Sequence, residues 1–464
     1  MAKMRANFPY EPTEEQDKAI KMLAAFLSES EHDLFLLRGY AGTGKTSLVG
    51  ALVKTLSRES TSTTLLAPTG RAAKVFAGYA HHPAYTIHKH IFRQQGADDM
   101  EPNFELNTTK PHTAIYIVDE ASMISNERRP GEMFGSGCLL DDLIDFVYAD
   151  AGSRLILLGD TAQLPPVHEE LSAALFKEAL ESYGLRVTGL ELTQVVRQEE
   201  HSGILWNATA LRRLIAADDF SLLPRIRITG FADIEVLHGS ADLMDLISSC
   251  YDRDGKDETI VLCRSNKQAN RYNEAIRGRI LWMEEELSTA DRLMVVKNNY
   301  FWLGEEVKDD FLANGETAVV RRVRREEQHY GFRFANVLLT LPEHDDMELE
   351  VKLLLDTLHS TSPSLTDDER NRLYTAVVDE MGPMGRVRRS RELRKNEYYN
   401  ALQVKYAYAV TCHKAQGGQW KNVFLDQGFV GSELTAEYFR WLYTAFTRAT
   451  GKLYLINYPQ EQIE

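Results

Sequence analysis

Residues 39–46 read Gly-Tyr-Ala-Gly-Thr-Gly-Lys-Thr, and this stretch decides the fold class of the chain. It fits the pattern GxxxxGK(S/T), follows the apolar run 34–37 and precedes a helical stretch, 46–56. In such a strand–loop–helix unit, backbone N–H groups of the loop and of the helix N-terminus bind phosphate oxygens, the lysine contacts the β- and γ-phosphates, and the hydroxyl binds Mg²⁺. The alternative is a glycine-rich turn with an incidental lysine. The residues assigned to the nucleotide are Gly39, Gly42, Thr43, Gly44, Lys45 and Thr46.

Short apolar runs separated by helical stretches surround this loop. Runs at 64–67, 115–118 and 155–158 each end in polar or glycine-rich residues, as the run 34–37 does. Continuous apolar strands that alternate with helices predict a parallel sheet covered on both faces. Such a sheet binds ligands at the carboxyl ends of its strands. A second α/β domain is predicted by four further runs, at 259–262, 406–410, 422–425 and 452–456.

The residues that follow two of these strands suit nucleotide hydrolysis. Asp119 and Glu120 close the strand at 115–118, where Asp119 can hold Mg²⁺ and Glu120 can polarise the attacking water. Gln163 follows the strand at 155–158, and its neutral amide suits a sensor of the γ-phosphate. The alternatives are solvated carboxylates at a strand end, a proline-terminated turn around Gln163, and a nucleotide kinase, which shares the loop.

Composition limits the class of protein. The 464 residues include 53 Lys and Arg against 68 Asp and Glu, and the formal charge of −15 excludes a generic basic nucleic-acid coat. At roughly 100–200 residues per domain, the length predicts two to four domains. The four cysteines form no CxxC pair. No apolar run approaches the roughly 20 residues of a membrane span. We therefore expect a cytoplasmic protein that has no membrane partner.

Two stretches interrupt the alternation of strands and helices. The shorter one, 94–112, is polar. The longer one, 291–395, begins with β-like runs and then passes through 341–380, which holds eleven Asp and Glu against three Lys and Arg. It ends with the strongly basic run 386–395 (RVRRSRELRK). We interpret 291–395 as an inserted domain with an acidic helical segment.

Eight motifs occur in order along nearly the whole chain: GYAGTGKT (39–46), APTGRAA (67–73), TIHKHIF (86–92), IVDEASM (117–123), GDTAQLPPV (159–167), LTQVVRQ (192–198), VTCHKAQGGQW (410–420) and YTAFTRAT (443–450). Together they resemble the motifs of superfamily 1 DNA helicases of the RecD-like, phage Dda-like branch. The resemblance implies an α/β fold with two RecA-like P-loop domains, ATP in the cleft between them and DNA across their tops. The implied domains are 1–177, and 178–290 with 396–464. A strand-separating hairpin at about 94–112 and an SH3-like β-rich insertion at 291–395 are also implied.

The resemblance assigns further residues to the nucleotide. Arg197 and Arg448 match arginine fingers, whose guanidinium stabilises transition-state charge on the γ-phosphate; the alternative for each is a structural salt bridge. Gln16 matches an adenine-contacting glutamine, although it also stands three residues after Thr13 in the spacing of a helix capping box. Gln419 occupies a position where many relatives carry a glutamate to the nucleotide ribose, and this departure leaves that contact open.

The resemblance also assigns residues to the phosphate backbone of DNA. Hydroxyls, backbone N–H groups and a few cations suit a moving grip, because they bind phosphates without reading sequence. The residues are Pro68, Thr69, Gly70, Thr86 and His88 in the first domain, and Thr411, His413 and Lys414 in the second. For His88 and His413, the alternative is a hydrogen-bonded structural histidine.

Two accessory features have open alternatives. Phe104 lies in the hairpin stretch, where an exposed aromatic ring could stack on the terminal base pair for about 1–3 kcal/mol, or could anchor the hairpin to its own domain. The basic residues of the longer insertion either face the DNA channel or pair with the acidic stretch 341–380. They are Arg321, Arg322, Arg324, Arg325 and the run 386–395.

The sequence therefore predicts a DNA helicase that uses ATP and Mg²⁺ and moves 5′ to 3′ on single-stranded DNA, with the polarity resting on the branch resemblance alone. The expected partners are single-stranded DNA, duplex junctions and a single-stranded-DNA-binding, replication or repair protein, and we expect a monomer. A DNA-stimulated regulatory ATPase without unwinding activity is the first alternative. A nucleotide kinase or P-loop switch is the second, and the motifs near 410 and 443 argue against it.

Overall fold

A computed structural model of the chain describes residues 1–28, 31–94, 104–107, 114–128, 134–150, 152–195, 201–237, 240–303, 311–428 and 434–464. Their strands form two parallel sheets, one closed barrel and one two-stranded hairpin. Within these ranges, no helix is both long and apolar enough to cross a membrane.

The described segments contain the following elements. The helices are α1 (Ala2–Asn7), α2 (Glu14–Ser28), α3 (Lys45–Arg58), α4 (Gly70–Ala80), α5 (Ile87–Ile91), α6 (Leu139–Tyr148), α7 (Lys177–Glu181), α8 (Gly203–Ala216), α9 (Ser240–Asp254), α10 (Asn266–Arg279), α11 (Asp367–Met381), α12 (Arg386–Lys395) and α13 (Ala436–Phe446). The strands are β1 (Leu34–Gly39), β2 (Thr63–Ala67), β3 (Ala84–Thr86), β4 (Phe92–Gln94), β5 (Phe104–Leu106), β6 (Ile115–Val118), β7 (Arg154–Gly159), β8 (Val187–Leu192), β9 (Ile234–Leu237), β10 (Thr259–Cys263), β11 (Arg292–Val295), β12 (Thr317–His329), β13 (Phe332–Leu341), β14 (Met347–Leu354), β15 (Leu402–Tyr406), β16 (Ala409–Thr411), β17 (Trp420–Asp426) and β18 (Ala449–Ile456).

The first sheet has six parallel strands in the order β3–β2–β6–β7–β1–β8. Alternate residues of β1 face opposite sides: Phe35 and Leu37 pack with helices α1 to α4, and Leu34 and Leu36 pack with α5 and α6. Because both faces are buried, the central strands are continuous apolar runs. We call residues 2–192 the first α/β unit.

The second sheet has five parallel strands in the order β16–β10–β17–β18–β9. Ile260 and Leu262 of β10 pack with α8 and α13, whereas Val261 and Cys263 pack with α9 and α10. We call residues 203–279 and 409–456 the second α/β unit. The prediction of an α/β fold with parallel sheets is confirmed.

Between the two parts of the second unit, strands β11 to β15 close into a barrel. Its buried residues, among them Leu293 and Leu339, belong to the same core cluster as Val261 and Phe424 of the second sheet. A separate cluster that includes Phe334, Leu373 and Leu393 attaches α11 and α12 to the barrel. The barrel therefore shares its core with the second α/β unit.

The barrel also contacts the first α/β unit through a buried ion pair. Glu316, just before β12, is 1% exposed, and one carboxylate oxygen lies 3.0 Å from Lys89 Nζ of α5. His344 Nε2 lies 3.1 Å from the other carboxylate oxygen. Removing one member of such a pair leaves a buried charge without compensation, so the contact fixes the barrel against α5.

The predicted hairpin is described in part. Strands β4 and β5 are antiparallel, with Gln94 opposite Phe104, whereas residues 95–103 and 108–112 of the stretch lie outside the described residues. Phe104 is 4% exposed, and its ring centroid lies 4.6 Å from that of Phe134 and 4.7 Å from that of Tyr300 near the barrel. The expectation of an exposed ring is therefore corrected, because apolar packing buries Phe104, and the contacts favour the anchoring alternative.

Two expected boundaries also need correction. We expected the first domain to end at residue 177, where helix α7 begins. Strand β8, which follows α7, pairs with β1 at the edge of the first sheet, so the first unit extends further. The inserted domain was expected to end at 395, but β15 is the fifth barrel strand. The expected strand 406–410 is divided between β15 and β16, which belong to the barrel and to the second sheet respectively.

Candidate nucleotide and nucleic-acid sites

The glycine-rich loop joins β1 to α3 and has the shape of an anion cradle. Gly42 and Gly44 have φ angles of 77° and 82°, in the left-handed region that favours glycine. A Cβ atom on Gly42 would also lie 3.0 Å from Val195 and 3.2 Å from Leu205. Helix α3 begins without a side-chain cap, so N–H groups of its first turn remain available to a phosphate. The loop fits a nucleotide.

Two predicted side chains hold the loop from within. Lys45 Nζ donates to the carbonyl oxygen of Gly39 and, at 3.1 Å, to that of Tyr40. Gln16 Oε1 accepts from Thr13 N at 2.9 Å and Thr13 Oγ1 accepts from Gln16 N at 3.3 Å, which are the reciprocal bonds of a capping box. Gln16 Nε2 then donates to the carbonyl oxygen of buried Thr43 at 2.9 Å. Gln16 thus ties α2 to the loop, and its adenine contact stays a prediction.

Asp119 and Glu120 lie where β6 ends. Asp119 accepts hydrogen bonds from the Tyr79 hydroxyl of α4 and, at 2.8 Å, from the backbone N–H of Glu120. Glu120 has a φ of 53°, a strained backbone position of the kind that clusters at functional sites. Burial raises the pKa of Glu120, whereas Arg448 and Lys45 oppose that rise. A carboxylate with a raised pKa is a better proton acceptor for an attacking water.

Residues of the second unit reach this site through α13. The Tyr443 hydroxyl donates to Asp160 Oδ2 at 2.6 Å and accepts from the loop N–H of Ala41 at 2.9 Å. Thr444 Oγ1 accepts from the backbone N–H of Leu164 at 2.8 Å. Asp160 is buried, which raises its pKa against the opposing effect of Lys45. One helix therefore contacts both the glycine-rich loop and the segment that follows β7.

Arg448 lies just after α13 and faces the same site. It is 3% exposed, and its Nη1 lies 4.0 Å from Glu120 Oε1. Its Nε donates to the carbonyl oxygen of Thr444 at 3.1 Å, and its Nη1 donates to that of Gly418 at 3.2 Å. These bonds orient the guanidinium towards the cleft between the two units.

The remaining predicted nucleotide residues differ in how the structure places them. Gln163 is 8% exposed, and its Oε1 is buried with no hydrogen-bond partner among the described residues, so it is free to receive one. The side chains of Thr46 and Gln419 are exposed. Arg197 lies outside the described residues. The hydroxyl of Thr46 and the carboxylate of Asp119 are hard oxygen donors, which suit Mg²⁺.

A cleft of about 300 Å³ brings together several residues predicted to bind DNA. Thr69 and His88 line it from the first unit, and His413 and Lys414 line it from the second. Asn314 and Gly315, next to the barrel strand β12, complete the wall. The cleft therefore contains atoms of all three parts of the molecule.

The other predicted DNA residues do not line this cleft. Thr86 caps α5 by accepting from Lys89 N at 3.2 Å, in the same way that Thr69, which does line the cleft, caps α4 by accepting from Ala72 N at 3.2 Å. Phe104 belongs to the buried aromatic cluster. Four more predicted residues are not in its wall but lie within two positions in the sequence of Thr69, His88 or His413. They are Pro68, Gly70, Thr86 and Thr411.

Burial controls the charge of the cleft. It lowers the pKa of His88 to about 4 and lowers that of His413, so both rings are neutral at pH 7. The His88 ring also packs edge-on against Phe134, at 5.0 Å between centroids. Burial lowers the pKa of Lys414 to about 8, and its ammonium donates to Asn314. Lys414 is therefore the predicted cleft residue whose charge depends on pH near neutrality.

Sequence reasoning did not assign several residues that shape these sites. Tyr79, Asp160, Tyr443 and Thr444 position the nucleotide side, and Arg71 lies 4.6 Å from the Trp420 ring at the junction of the two units. Asp160, Tyr443 and Thr444 lie inside quoted motifs, which was the available signal. Nothing in the local sequence around Tyr79 indicated its contact with Asp119.

Comparisons with known proteins agree with this arrangement. A family model described as an AAA domain matches residues 11–222, and one described as a UvrD-like helicase C-terminal domain matches residues 406–456. The ATP-dependent RecD2 DNA helicase of Deinococcus radiodurans is 30% identical over 201 residues, which are 43% of this chain and 24% of that protein. The chain thus matches about a quarter of the length of that relative.

Two other comparisons extend over nearly the whole chain. The ATP-dependent DNA helicase Pif1 of Campylobacter jejuni is 21% identical over 476 residues, covering 96% of this chain and 92% of that protein. The crystal structure of Bacteroides Pif1 bound to single-stranded DNA has a TM-score of 0.50 at 17% identity, covering 98% of this chain and 94% of that chain. The structural match indicates a shared fold.

Proposed function

The chain is related to superfamily 1 helicases of the RecD-like and Pif1-like branch, and from this premise we propose that it is an ATP-dependent DNA helicase that moves 5′ to 3′ on single-stranded DNA. In this proposal the two α/β units are RecA-like motor domains and the barrel is an SH3-like accessory domain. Single-stranded DNA and duplex junctions are its substrates.

One observation carries the proposal: α13 joins the nucleotide site to the rest of the motor. Tyr443 bonds the glycine-rich loop, Thr444 bonds the segment after β7, and Arg448 faces Glu120. Because these residues belong to the second unit and their partners belong to the first, hydrolysis and the relative position of the units depend on each other. That dependence is what a translocating motor needs.

The proposed hydrolysis assigns a role to each side chain. The loop N–H groups and Lys45 bind the phosphates, and Glu120 accepts the proton of the attacking water. Arg448 stabilises the charge that spreads over the γ-phosphoryl group, with Arg197 in a parallel role. The amide N–H of Gln163 donates to the γ-phosphate before hydrolysis and loses that partner afterwards. Thr46 and Asp119 would hold Mg²⁺, which would supply neutralisation of phosphate charge.

The cleft lined by Thr69, His88, His413 and Lys414 supports the proposed path of the DNA strand. The Thr69 hydroxyl, the two neutral imidazoles and the Lys414 ammonium suit contacts with phosphates that form and break during movement. Both α/β units contribute to it, so a change in their spacing alters the grip on the strand. We assign the remaining predicted residues, Pro68, Gly70, Thr86 and Thr411, to the borders of this path.

The decisive experiment is replacement of Lys45. We expect Lys45→Ala to lose ATP hydrolysis stimulated by single-stranded DNA, and unwinding of a forked duplex, by more than about 100-fold, because the phosphates lose their positioned cation. Lys54→Ala is the matched control, since Lys54 is exposed on the same helix, α3. A Lys45→Ala protein that still unwinds the duplex with ATP would refute the proposal.

Two further measurements distinguish the alternatives. A wild-type protein that hydrolyses ATP on single-stranded DNA without separating a forked duplex is the regulatory ATPase. Partial duplexes with a 5′ or a 3′ single-stranded tail test the direction of movement, and a requirement for a 3′ tail would overturn the proposed polarity.

A further inference from the structure

Helix α12 presents a row of cations to solvent. Its ten residues include six Arg and Lys and one Glu, in a chain whose formal charge is −15. Leu393 is its one buried residue, and the side chains of Arg386, Arg388, Arg391 and Lys395 are exposed. The packing of α12 against the barrel therefore half-buries Arg389 and Arg394 and leaves the other four cations facing outward.

Three cations of this row have no ion pair with the acidic stretch among the described residues. Carboxylates of that stretch pair with arginines of barrel strands, as Glu348 does with Arg321 at 3.9 Å and Glu350 with Arg324. Arg325 pairs with Glu327 of the same strand at 3.7 Å. By contrast, Arg386, Arg388 and Lys395 make no ion pair with any residue that the structure describes. Pairing with the acidic stretch therefore describes Arg321 and Arg324, whereas the partner of Arg325 lies outside that stretch.

Like charges are concentrated in the first part of α12. Its first turn contains arginines and no acidic residue, although the positive end of a helix dipole favours acidic ones. In the second part, Glu392 and the negative end of the dipole compensate the cations. Arg386, Arg388 and Lys395 are exposed and fill no core, so their charges are available to an anionic partner outside the chain.

The position of α12 indicates which anion it meets. Asn400 Nδ2 donates to the carbonyl oxygen of Leu393 at 2.9 Å, near the end of the helix. The carbonyl oxygen of Asn400 accepts from Asn299 Nδ2 and Trp302 Nε1, at 2.8 Å each. Tyr300, between these two residues, packs against Phe104 of the β4–β5 hairpin. The cation row is thus fixed to the same segment that anchors the hairpin.

We propose that α12 is a second DNA-binding surface, which binds the phosphate backbone of the duplex ahead of the separating strands. The proposal rests on the function proposed above, together with the strand-separating role that the sequence resemblance implies for the hairpin. From Arg388 to Lys395 the helix rises about 10 Å at 1.5 Å per residue. That length faces roughly three phosphates along one strand at 3.4 Å each. Guanidinium groups suit phosphate oxygens, and such contacts are independent of base sequence.

The test removes three exposed cations that have no ion pair. The variant combines Arg386→Gln, Arg388→Gln and Lys395→Gln, and the control combines Arg321→Gln, Arg324→Gln and Arg325→Gln. Both change the net charge equally within the accessory part of the chain, and all six side chains are exposed. Binding without nucleotide is measured across a range of salt concentrations, on a forked duplex and on its single-stranded tail alone.

For the α12 variant, we expect the slope of log K against log salt to flatten by about 2–3 on the forked duplex, since each duplex phosphate contact contributes about 0.9. The slope on the single-stranded tail and both slopes of the control should match the wild type. Equal flattening on the tail would overturn the duplex assignment in favour of the single strand. Equal flattening in the control would show that the net charge of the chain, and not α12, sets the slope. An unchanged slope in the α12 variant would also refute the proposed binding surface.

The two proposals fail in different ways. If the wild-type protein does not unwind a forked duplex but the α12 variant still shows the flattened slope, the helicase proposal fails and the duplex-binding surface stands. If the wild type unwinds and the slopes of variant and wild type agree, the surface fails and the helicase proposal stands.

Discussion

Tyr443 shows how a single hydroxyl can join two parts of this molecule. It is buried, and it bonds the Ala41 N–H of the glycine-rich loop and the Asp160 carboxylate at the same time. Asp160 gains a charge-assisted hydrogen bond in a site where burial disfavours its ionised form. Five residues later the chain reaches Arg448 beside Glu120. The hydroxyl therefore sets the distance between the loop and the residues proposed for transition-state stabilisation.

We predict that Tyr443→Phe lowers kcat for ATP hydrolysis by about 10- to 100-fold and changes KM for ATP by less. A hydrogen bond to a charged group contributes about 1.5–3 kcal/mol, which corresponds to that range of rates. Steady-state ATPase kinetics with saturating single-stranded DNA give both constants.

The control is Tyr458→Phe. Tyr458 is also buried, but its hydroxyl has no hydrogen-bond partner in the described part of the chain, so removing it breaks no bond. If both variants lose the same activity, the effect of Tyr443→Phe is loss of core packing, and the bridging role is contradicted.

Lys414 gives the proposed DNA cleft a dependence on pH. Its pKa of about 8 is below the usual value for lysine, so the ammonium is charged at pH 7 and loses its proton as the pH rises through 8. We predict that the affinity for single-stranded DNA falls by about 1 kcal/mol, or roughly fivefold, between pH 7 and pH 9. His413 and His88 are neutral over this range and do not contribute.

Lys414→Arg tests this origin, because a guanidinium stays charged at pH 9. Titrations of both proteins with a fluorescent single strand at fixed ionic strength should show a flat profile for the variant and a falling one for the wild type. Parallel profiles would assign the pH dependence to another group.

At the scale of elements, the predictions succeeded where burial was complete. Strands β1, β2, β6, β7 and β10 are buried on both faces, and each appears in the sequence as an apolar run. Strand β8 lies at the edge of its sheet with buried and exposed residues mixed, so the sequence signal was weak and the domain boundary fell too early. Strands β15 and β16 are separated by only two residues, which no apolar pattern could divide between two sheets.

The site residues also fall into those that the sequence predicted and those that it did not. Residues inside the motifs, such as Lys45, Glu120 and Arg448, lie together around one cleft, because a motif with a fixed local shape specifies its own geometry. Tyr79 reaches Asp119 from another helix, and Tyr300 reaches Phe104 from beside the barrel. Contacts of this kind depend on tertiary packing between distant segments, so the local sequence does not predict them.

The hairpin gives a prediction at this scale. Removing a buried phenyl ring costs about 3–5 kcal/mol of packing, so Phe104→Ala should release β5 from Phe134 and Tyr300. We predict that unwinding of a forked duplex falls about tenfold or more, while ATP hydrolysis stimulated by single-stranded DNA stays within about twofold of the wild type. Both activities are measured on the same preparation.

Phe26→Ala is the comparison for general loss of stability, because Phe26 is equally buried but packs against Phe35 on the far face of the first sheet. Equal loss of ATP hydrolysis and unwinding in the Phe104→Ala protein would refute a role confined to strand separation.

For the whole molecule, the net charge of −15 conceals a strongly uneven distribution. Glu348, Glu350 and Asp356 of the stretch 341–380 pair with arginines on the barrel, whereas the proposed DNA cleft and α12 retain cations. A protein that must release its substrate in every cycle needs local cationic tracks and gains nothing from a uniformly basic surface. The overall charge is therefore a poor guide to nucleic-acid binding in this chain.

The shared core of the barrel and the second α/β unit restricts how this chain can be recombined. Its cluster runs without a break from Val261 and Phe424 to Leu293 and Leu339, while Phe104 of the first unit packs on Tyr300 beside the same barrel. The barrel is an insertion in sequence but not an exchangeable module. A chimera that imports a barrel from a relative inherits mismatched surfaces on two sides at once, so natural variation in the barrel and in the hairpin should be found as matched sets.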